Sequence, residues 1–463
     1  MRRIFCLLFV LAAVQYLCAQ KQKSEKKDKD DPAEVQPMLI RGPYLQCASS
    51  SSMMIRWRTD ALTRSRVRYG TDYQNLNRSS DDSTLHTEHK VLVRGLQPIT
   101  KYYYSIGAIN DKLQGDSNNY FYTLPVPGRR GVFRIAAFGD CGNNSINQRQ
   151  VRDQVLKYLG NNYLNAWILL GDNTYPDGTD AEFQANFFNI YKETLLKQNP
   201  LFPAPGNHDY HDVEFSAAVA QQTHEVAYYQ NFSMPENGES GGAPSHTRQY
   251  YSFDICNAHF ISIDSYGKDG DARLYDTLGA QVKWIKKDLE KAKGAEWIIA
   301  FWHHPPFTMG SHNGDTEKEL VLIRQHFIRI LERYGVDLVL CGHSHDYERS
   351  RMMFGYYGNE NEFDSTKYLV SRSSGRDDGS NNSAPYQKNS LHAKGTVYVV
   401  TGSAGKLGGT QTGYPHDAMF YSDADHGGAS ILEIEGGELR FKWICADGEV
   451  RDWFTMKKKL SNK

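Results

Sequence analysis

Two histidines that directly follow an apolar run are the feature that most constrains this chain. Residues 336–341 predict a buried strand, which continues into Gly342-His343-Ser344-His345-Asp346. Side chains two positions apart on an extended segment point the same way, so His343 and His345 can face one ligand beyond the strand end. Open α/β sheets bind ligands at such ends. Taken alone, the pair also fits two solvated or core histidines, so a metal site needs partners elsewhere.

The same pattern recurs at other predicted strand ends. Each time an apolar run ends, a turn follows, usually through glycine, and a side chain that can bind a metal comes next. Glycine permits the tight turn. A single Asp in this place is ordinarily a helix cap, but the repetition predicts one shared site at a sheet edge. The other occurrences are Gly139-Asp140, Gly171-Asp172, Gly206-Asn207-His208-Asp209 and His303-His304.

The mixture of donors indicates the kind of metal. Carboxylates, an amide and several imidazoles suit iron, zinc or manganese. A calcium site would hold more carboxylates and carbonyls, and a structural zinc site would more often be closed by cysteines. Because the donors exceed the needs of one tetrahedral ion, we expect two ions, roughly 3.5–4 Å apart and bridged by a shared carboxylate.

Periodicity divides the 463-residue chain into two folded parts. Short alternating strands, such as those at 53–59, 65–70 and 87–93, predict an all-β domain over residues 37–125. A Pro/Gly-rich joint follows, and strands then alternate with helices through residues 131–450. Helices are predicted near 148–159, 181–196, 278–292 and 320–334. Residues 359–389 are rich in Ser, Asn, Asp and Gly and predict a long solvated loop, with a lid as the alternative.

The first 19 residues predict export. Arg2 and Arg3 precede an apolar run over residues 4–13 and a small-residue exit at Cys18-Ala19, which is the pattern of a secretory signal peptide. The run is too short to span a membrane; lipidation of Cys18 is the alternative to cleavage after Ala19. Residues 20–36 predict a charged linker. We therefore expect a secreted, periplasmic or cell-surface protein without a transmembrane segment.

Charge and cysteine content exclude some classes of protein. The formal net charge of −1 argues against nucleic acid as the main partner. The cysteines that follow the signal are odd in number and scattered, which predicts buried free thiols, with a single bridge as the alternative. They are Cys47, Cys141, Cys256, Cys341 and Cys445.

The strand-end motifs together resemble the signature of the metallophosphoesterases. Gly-Asp-x-Gly, Gly-Asp-x-x-Tyr, Gly-Asn-His-Asp, His-x-Pro and Gly-His-x-His all occur in order. Tyr175, three residues after Asp172, and a fibronectin type III-like N-terminal domain with Trp57 narrow the resemblance to purple acid phosphatases. The resemblance covers about residues 37–450. It implies a four-layer α/β (α+β) metallophosphoesterase sandwich, preceded by a small all-β fibronectin-like sandwich.

The resemblance also implies metal ligands. The first metal, a ferric ion in this family, would be held by Asp140, Tyr175 and His345. The second, a divalent iron, zinc or manganese ion, would be held by Asn207, His303 and His343. Asp172 would bridge both ions.

Three further histidines would face the substrate. His208 would bind the phosphate and could donate a proton. His312, nine residues after His303, resembles a substrate-side histidine, and His304 would lie beside the metals or face the phosphate, unless it is a buried hydrogen-bonded histidine. Asn173-Thr174 and the 359–389 region depart from the familiar pattern, which leaves substrate preference open.

The implied activity is that of an acid phosphatase. In this class a metal-bound hydroxide attacks a phosphate monoester. A phosphodiesterase or nucleotidase on the same site is the alternative, and a non-catalytic surface-binding protein is the alternative of another class. A dinucleotide binder is not expected, because Gly139-Asp140-Cys141-Gly142 lacks the G-x-G-x-x-G spacing. The natural substrate and the oligomeric state stay open.

Overall fold

The computed structural model describes residues 37–211 and 217–459. The predicted signal peptide and charged linker lie outside these residues. Within the described ranges, the helices are all too short or too polar to cross a membrane.

The first part of the chain is an antiparallel six-stranded sheet. In it β2 pairs with β1, β3 and β4, and β4 also pairs with β5 and β6. The prediction of separate strands at 53–59 and 65–70 is wrong, because both segments belong to β2. Irregularities in the pairing with β3 bend β2 without ending it. The strands are β1 Leu39–Gln46, β2 Ser52–Gly70, β3 Arg78–Arg94, β4 Lys101–Gly107, β5 Lys112–Gln114 and β6 Tyr120–Tyr122.

Two mixed seven-stranded sheets form the rest of the molecule. The first has the order β15-β20-β19-β18-β7-β8-β9, with β7, β8 and β9 parallel. Its strands are β7 Val132–Phe138, β8 Ala166–Leu170, β9 Leu201–Ala204, β15 Tyr386–Lys388, β18 Gly428–Glu435, β19 Glu438–Cys445 and β20 Val450–Lys458.

The second sheet has the order β10-β11-β12-β13-β16-β14-β17, with β11, β12, β13 and β16 parallel. Its strands are β10 Tyr251–Ile255, β11 Ala258–Ser262, β12 Trp297–Phe301, β13 Leu338–Cys341, β14 Tyr347–Ser350, β16 Val397–Thr401 and β17 Met419–Asp423.

Alternation along β12 shows how the layers stack. Trp297, Ile299 and Phe301 belong to the core between the two sheets, whereas Ile298 and Ala300 belong to a second core on the outer face. Successive strand residues point to opposite faces, so the second sheet is covered on both sides. Phe202 of the first sheet stacks on Phe253 of the second, with ring centroids 3.9 Å apart.

Helices cover the outer face of each sheet. Helix α1 and the turns around Phe187 pack on the first sheet, where Phe187 stacks on Trp167. Helices α7 and α9 pack on the second sheet. The helices are α1 Ile146–Leu159, α2 Asp180–Glu182, α3 Asn189–Tyr191, α4 Leu195–Gln198, α5 Ala217–Thr223, α6 Ala227–Asn231, α7 Ala280–Lys291, α8 Lys318–Leu322, α9 Ile328–Arg333 and α10 Ser365–Tyr368.

Short π and 3-10 turns complete the secondary structure. The π turns Phe183–Phe188 and Ile323–Phe327 interrupt the helices predicted at 181–196 and 320–334. The 3-10 turns are His208–Tyr210, Ala292–Gly294 and Glu360–Glu362. The order helix, sheet, sheet, helix after an all-β part confirms the predicted fold class.

Residues 359–389 differ from the prediction of one long loop. They contain a 3-10 turn, α10 and β15, and β15 pairs with β20. Arg376 from this stretch is held by Asp452, with Nη2 3.0 Å from Oδ1. The stretch is thus fastened to the first sheet. The five cysteines are buried and free, which confirms the prediction made for them.

A group of charged side chains joins the N-terminal sheet to the rest of the molecule. We call Arg41, Arg58, Asp180 and Asn231 the arginine network. Asp180 accepts from both arginines, with Oδ1 3.0 Å from Arg41 Nη1 and 2.9 Å from Arg58 Nη2. Arg41 also donates to Asn231 Oδ1. The Arg41 side chain is fully buried, and Asp180 complements its charge.

Candidate metal centre

Every strand-end motif predicted from the sequence lies at one edge of the two-sheet sandwich. β7, β8 and β9 of the first sheet lead to Asp140, to Asp172 and to Asn207 with His208. β12 and β13 of the second lead to His303 with His304 and to His343 with His345. These strands are parallel within each sheet, so their carboxyl ends meet at the same edge.

One half of the centre is built from Asp140, Tyr175 and His345. The Tyr175 hydroxyl donates to Asp140 Oδ1 at 2.8 Å and lies 3.4 Å from His345 Nε2. His345 Nε2 is 3.6 Å from Asp140 Oδ1. A phenol, a carboxylate and an imidazole therefore converge at one point. The Asp172 carboxylate joins them, since ligand atoms of Asp140, Asp172 and His345 all lie within 4.8 Å of one another.

The other half is built around His303. Its Nε2 lies 3.0 Å from Asn207 Oδ1, 3.1 Å from His343 Nδ1 and 3.2 Å from Asp172 Oδ1. Asp172 thus reaches donors in both halves, as the prediction of a bridging carboxylate requires.

Hydrogen bonds on the far side of both histidines fix which nitrogen faces inward. His303 Nδ1 donates to the carbonyl of Leu170 at 2.9 Å, so its Nε2 points into the centre. His343 Nε2 lies 3.2 Å from Glu317 Oε2 and donates to it, which leaves Nδ1 for the centre. A metal-binding histidine commonly donates its other N–H to a carbonyl or carboxylate in this way.

The turns that carry these ligands have unusual backbone geometry. Asp140, Asp172 and His343 have φ values of 55°, 50° and 69°, in the left-handed region that residues other than glycine seldom adopt. Such conformations cost about 1–3 kcal/mol each and cluster at functional sites. At Gly206 a Cβ would lie 2.2 Å from Asp172 Oδ1, so glycine is required for the turn to approach the bridging carboxylate.

Burial and mutual charge shift the pKa values of the centre. Burial raises the pKa of Asp140 well above its ordinary value. Burial acts the same way on Asp172, but attraction to His303 and His208 outweighs it and holds the pKa of Asp172 well below. Burial alone would lower the pKa of His303, yet Asp172 raises it to about 9. Burial lowers the pKa of His343 to about 3. The carboxylates thus need a cation, whether a proton on His303 or a metal.

The three histidines predicted to face the substrate also border the centre. His208 donates through Nδ1 to the Pro176 carbonyl, and its Nε2 is 3.7 Å from Asp172 Oδ2. The His312 ring centroid lies 3.7 Å from that of His343. His304 is buried, with Nδ1 2.8 Å from Ser265 Oγ and its ring 4.4 Å from that of His343. Their roles in catalysis stay predictions.

Two residues that the sequence did not single out complete the surroundings. Glu317 contacts both His343 and His312, the latter at 2.9 Å from Nδ1. Lys406 places its Nζ 4.5 Å from the ring centroid of Tyr175. Both come from loops without a recognisable motif; the only available signal was a charged residue within or near a glycine-containing loop.

Two family models match the chain. The calcineurin-like phosphoesterase model matches residues 133–347, and the purple acid phosphatase N-terminal domain model matches residues 41–123. The chain belongs to the purple acid phosphatase-like metallophosphoesterases.

Individual relatives of the purple acid phosphatase family support this placement. Purple acid phosphatase 23 of Arabidopsis thaliana is 30% identical over 58% of this chain and 58% of its own length, so that alignment spans less than two thirds of the relative. Probable purple acid phosphatase 20 of the same plant is 23% identical over 96% of this chain and 94% of its own length. The structure of purple acid phosphatase PPD1 from yellow lupin covers 92% of this chain and 74% of its own, with a TM-score of 0.68 and 18% identity, and so shares the fold.

The donor set of this purple acid phosphatase-like chain fits a pair of metal ions. His303 Nε2 is surrounded by an amide oxygen, a carboxylate oxygen and a second imidazole nitrogen. His303 already donates through Nδ1, so its Nε2 can offer at most one proton to these three acceptors. A cation between them would be attracted to all of the acceptors, and the mixture of N and O donors suits a transition metal.

Proposed function

We propose that this chain is an exported acid phosphatase that hydrolyses phosphate monoesters with two metal ions. The observation that carries the proposal is that two sets of three donors share the Asp172 carboxylate at one sheet edge. Export rests on the signal-peptide pattern of residues 1–19.

The metals would divide between the two halves of the centre. A ferric ion would be held by Asp140, Tyr175 and His345, and a divalent iron, zinc or manganese ion by Asn207, His303 and His343, with Asp172 between them. When bound, such ions lower the pKa of coordinated water and neutralise charge on a phosphoryl group. Glu317 and the Leu170 carbonyl hold the imidazoles of His343 and His303 in the orientation that this requires.

His208 is placed to handle the phosphate and a proton. Its Nδ1–H is held by the Pro176 carbonyl, which fixes the ring, and Nε2 is turned toward Asp172. When protonated, Nε2 can donate to a phosphate oxygen or pass its proton to the departing alkoxide. His312 is similarly held through Nδ1 by Glu317 on the opposite side.

The proposal is tested by hydrolysis of p-nitrophenyl phosphate by metal-loaded protein and by Asp172→Asn. We expect the variant to lose at least about a thousandfold in kcat/KM, because several kcal/mol of charge stabilisation depend on the metals that Asp172 joins. Asp180→Asn, the same change in the arginine network, is the matched control and should stay active. Equal activity of Asp172→Asn and the unaltered protein would contradict the proposal.

A diester substrate separates the two phosphoesterase classes. Rates with p-nitrophenyl phosphate should exceed those with bis(p-nitrophenyl) phosphate. A preference for the diester would instead support a phosphodiesterase on the same site.

A further inference from the structure

The glycine-rich loop that follows β16 is fastened to two of the ligand-bearing turns. We call residues 402–411 the β16 loop. The backbone N–H of Lys406 donates to the Asp140 carbonyl at 3.1 Å, and that of Gly408 donates to the His345 carbonyl at 3.0 Å. Ser145 Oγ and Asn147 Nδ2 both donate to the Gly405 carbonyl. The loop is therefore held by the turns that carry Asp140 and His345 and by the start of α1.

The β16 loop places the ammonium group of Lys406 beside the metal centre. Lys406 Nζ lies 4.5 Å from the Tyr175 ring centroid, a distance typical of a cation–π contact. The hydroxyl of the same tyrosine lies 3.4 Å from His345 Nε2. Tyr175 and His345 belong to the same half of the centre, so the ammonium borders that half.

Lys406 differs from the three lysines that the fold buries, because each of those has a carboxylate partner. Lys388 and Lys458 each pair with Asp337, at 2.6 and 2.7 Å, and Lys197 pairs with Glu193 at 3.1 Å. Among the described residues Lys406 forms no ion pair, and it is partly buried beside the centre. A partly desolvated charge without a counter-ion is costly in an unliganded protein. An anionic ligand at this position would supply the missing charge.

We propose that Lys406 binds the phosphoryl group of the substrate and selects monoesters over diesters. The inference rests on the proposed function. A phosphate monoester carries a second negative charge above a pKa of about 6, whereas a diester keeps only one. An ammonium that no protein carboxylate neutralises is attracted more strongly to the dianionic monoester than to the monoanionic diester. The rigid attachment of the β16 loop holds this charge in place before the substrate arrives.

The test compares Lys406→Gln with Lys406→Arg at pH 7. A charge-assisted hydrogen bond to a phosphate oxygen is worth about ten- to a hundredfold in binding. We expect Lys406→Gln to lower kcat/KM by that factor for p-nitrophenyl phosphate and by only about threefold or less for bis(p-nitrophenyl) phosphate. Lys406→Arg keeps the charge and should recover most of the monoester rate. An equal loss for both esters, or no loss, would overturn the inference.

Inorganic phosphate provides a readout that does not depend on turnover. Its affinity for the metal-loaded protein, measured by calorimetry, should fall about tenfold or more in Lys406→Gln and return in Lys406→Arg. Lys442→Gln is the matched control, because Lys442 Nζ also lies over a tyrosine ring, 5.2 Å from that of Tyr158, but on β19 against α1. Unchanged phosphate affinity in Lys406→Gln would overturn the inference even if Asp172→Asn behaves as the proposed function requires.

Discussion

The metal centre and the arginine network both bury polar side chains, but they do so in opposite ways. In the arginine network, Asp180 and the Asn231 side-chain oxygen accept from Arg41 and Arg58, so the two positive charges have partners within the protein. In the metal centre, Asn207, Asp172 and His343 each turn an acceptor toward the single Nε2 of His303. A buried polar group without a complement costs free energy. The first arrangement therefore stabilises the fold, and the second has the donor chemistry of a cation site.

Metal addition should distinguish the two regions most strongly. A ligand that binds only the folded state stabilises it by about 2.7 kcal/mol at a concentration a hundred times Kd. We expect Zn²⁺ or Fe to raise the melting temperature of chelator-treated protein, and to raise that of Asp180→Asn equally. Asp172→Asn should respond much less. The contrast between the regions would fail if all three proteins gained the same stability, or none gained any.

The next prediction concerns the carboxylate that orients His343. Glu317→Gln keeps the shape of the side chain but weakens its acceptance from His343 Nε2. Loss of such a partner typically costs about 10–100-fold in metal affinity or activity. Titration of the chelator-treated variant with Zn²⁺ and the p-nitrophenyl phosphate assay measure the two effects. Glu319→Gln, in the first turn of α8, is the matched control. Wild-type metal affinity in Glu317→Gln would contradict the orientation assigned to His343.

Removal of a charge from the arginine network should act on stability rather than on activity. Asp180→Asn leaves the buried Arg41 without its anionic partner. Because the Asp180 side chain is 43% exposed, we discount the loss expected of a fully buried pair to about 1–2 kcal/mol. Urea unfolding measures this loss. The activity of Asp180→Asn should stay within about twofold of that of the unaltered protein, because the arginine network stabilises the fold and takes no part in the reaction.

The same pair predicts a small pH dependence. Burial alone would raise the pKa of Asp180, but hydrogen bonds from Arg58 and attraction to Arg41 lower it from 3.8 to about 2. A depressed pKa in the folded state stabilises the protein above the unfolded value, and that stabilisation is lost as the pH falls through the folded value. The stability gap between the unaltered protein and Asp180→Asn should be constant above about pH 5 and close between about pH 4 and pH 2. A gap that widens toward acid would contradict the assigned pairing.

The sequence predicts the centre better than the network because its signals are local. Asp140, Asp172 and His343 each follow an apolar run and a glycine, so a strand end and a donor can be recognised within a few residues. Parallel strands then bring those ends to one edge. Asp180 and Arg41 are far apart in the chain and belong to different sheets or helices, and nothing in their neighbours indicates that they meet.

The lack of a local signal also explains why the sequence did not reveal two residues beside the metal centre. Glu317 and Lys406 reach the site from loops whose path depends on tertiary contacts, such as the bond from the Lys406 N–H to the Asp140 carbonyl. The positive φ values of Asp140 and Asp172 are likewise imposed by packing, since isolated aspartates seldom adopt them. The bend that turns two predicted strands into β2 depends on its pairing with β3, which is not readable from β2 alone.

Metal content of the purified protein tests the central claim most directly. Elemental analysis under metal-replete conditions should find two transition-metal ions per chain in the unaltered protein and in Asp180→Asn. Asp172→Asn should retain fewer, because Asp172 reaches donors of both halves. Fewer than one ion per chain in the unaltered protein, or identical content in Asp172→Asn, would contradict a two-metal centre at this edge of the sheets.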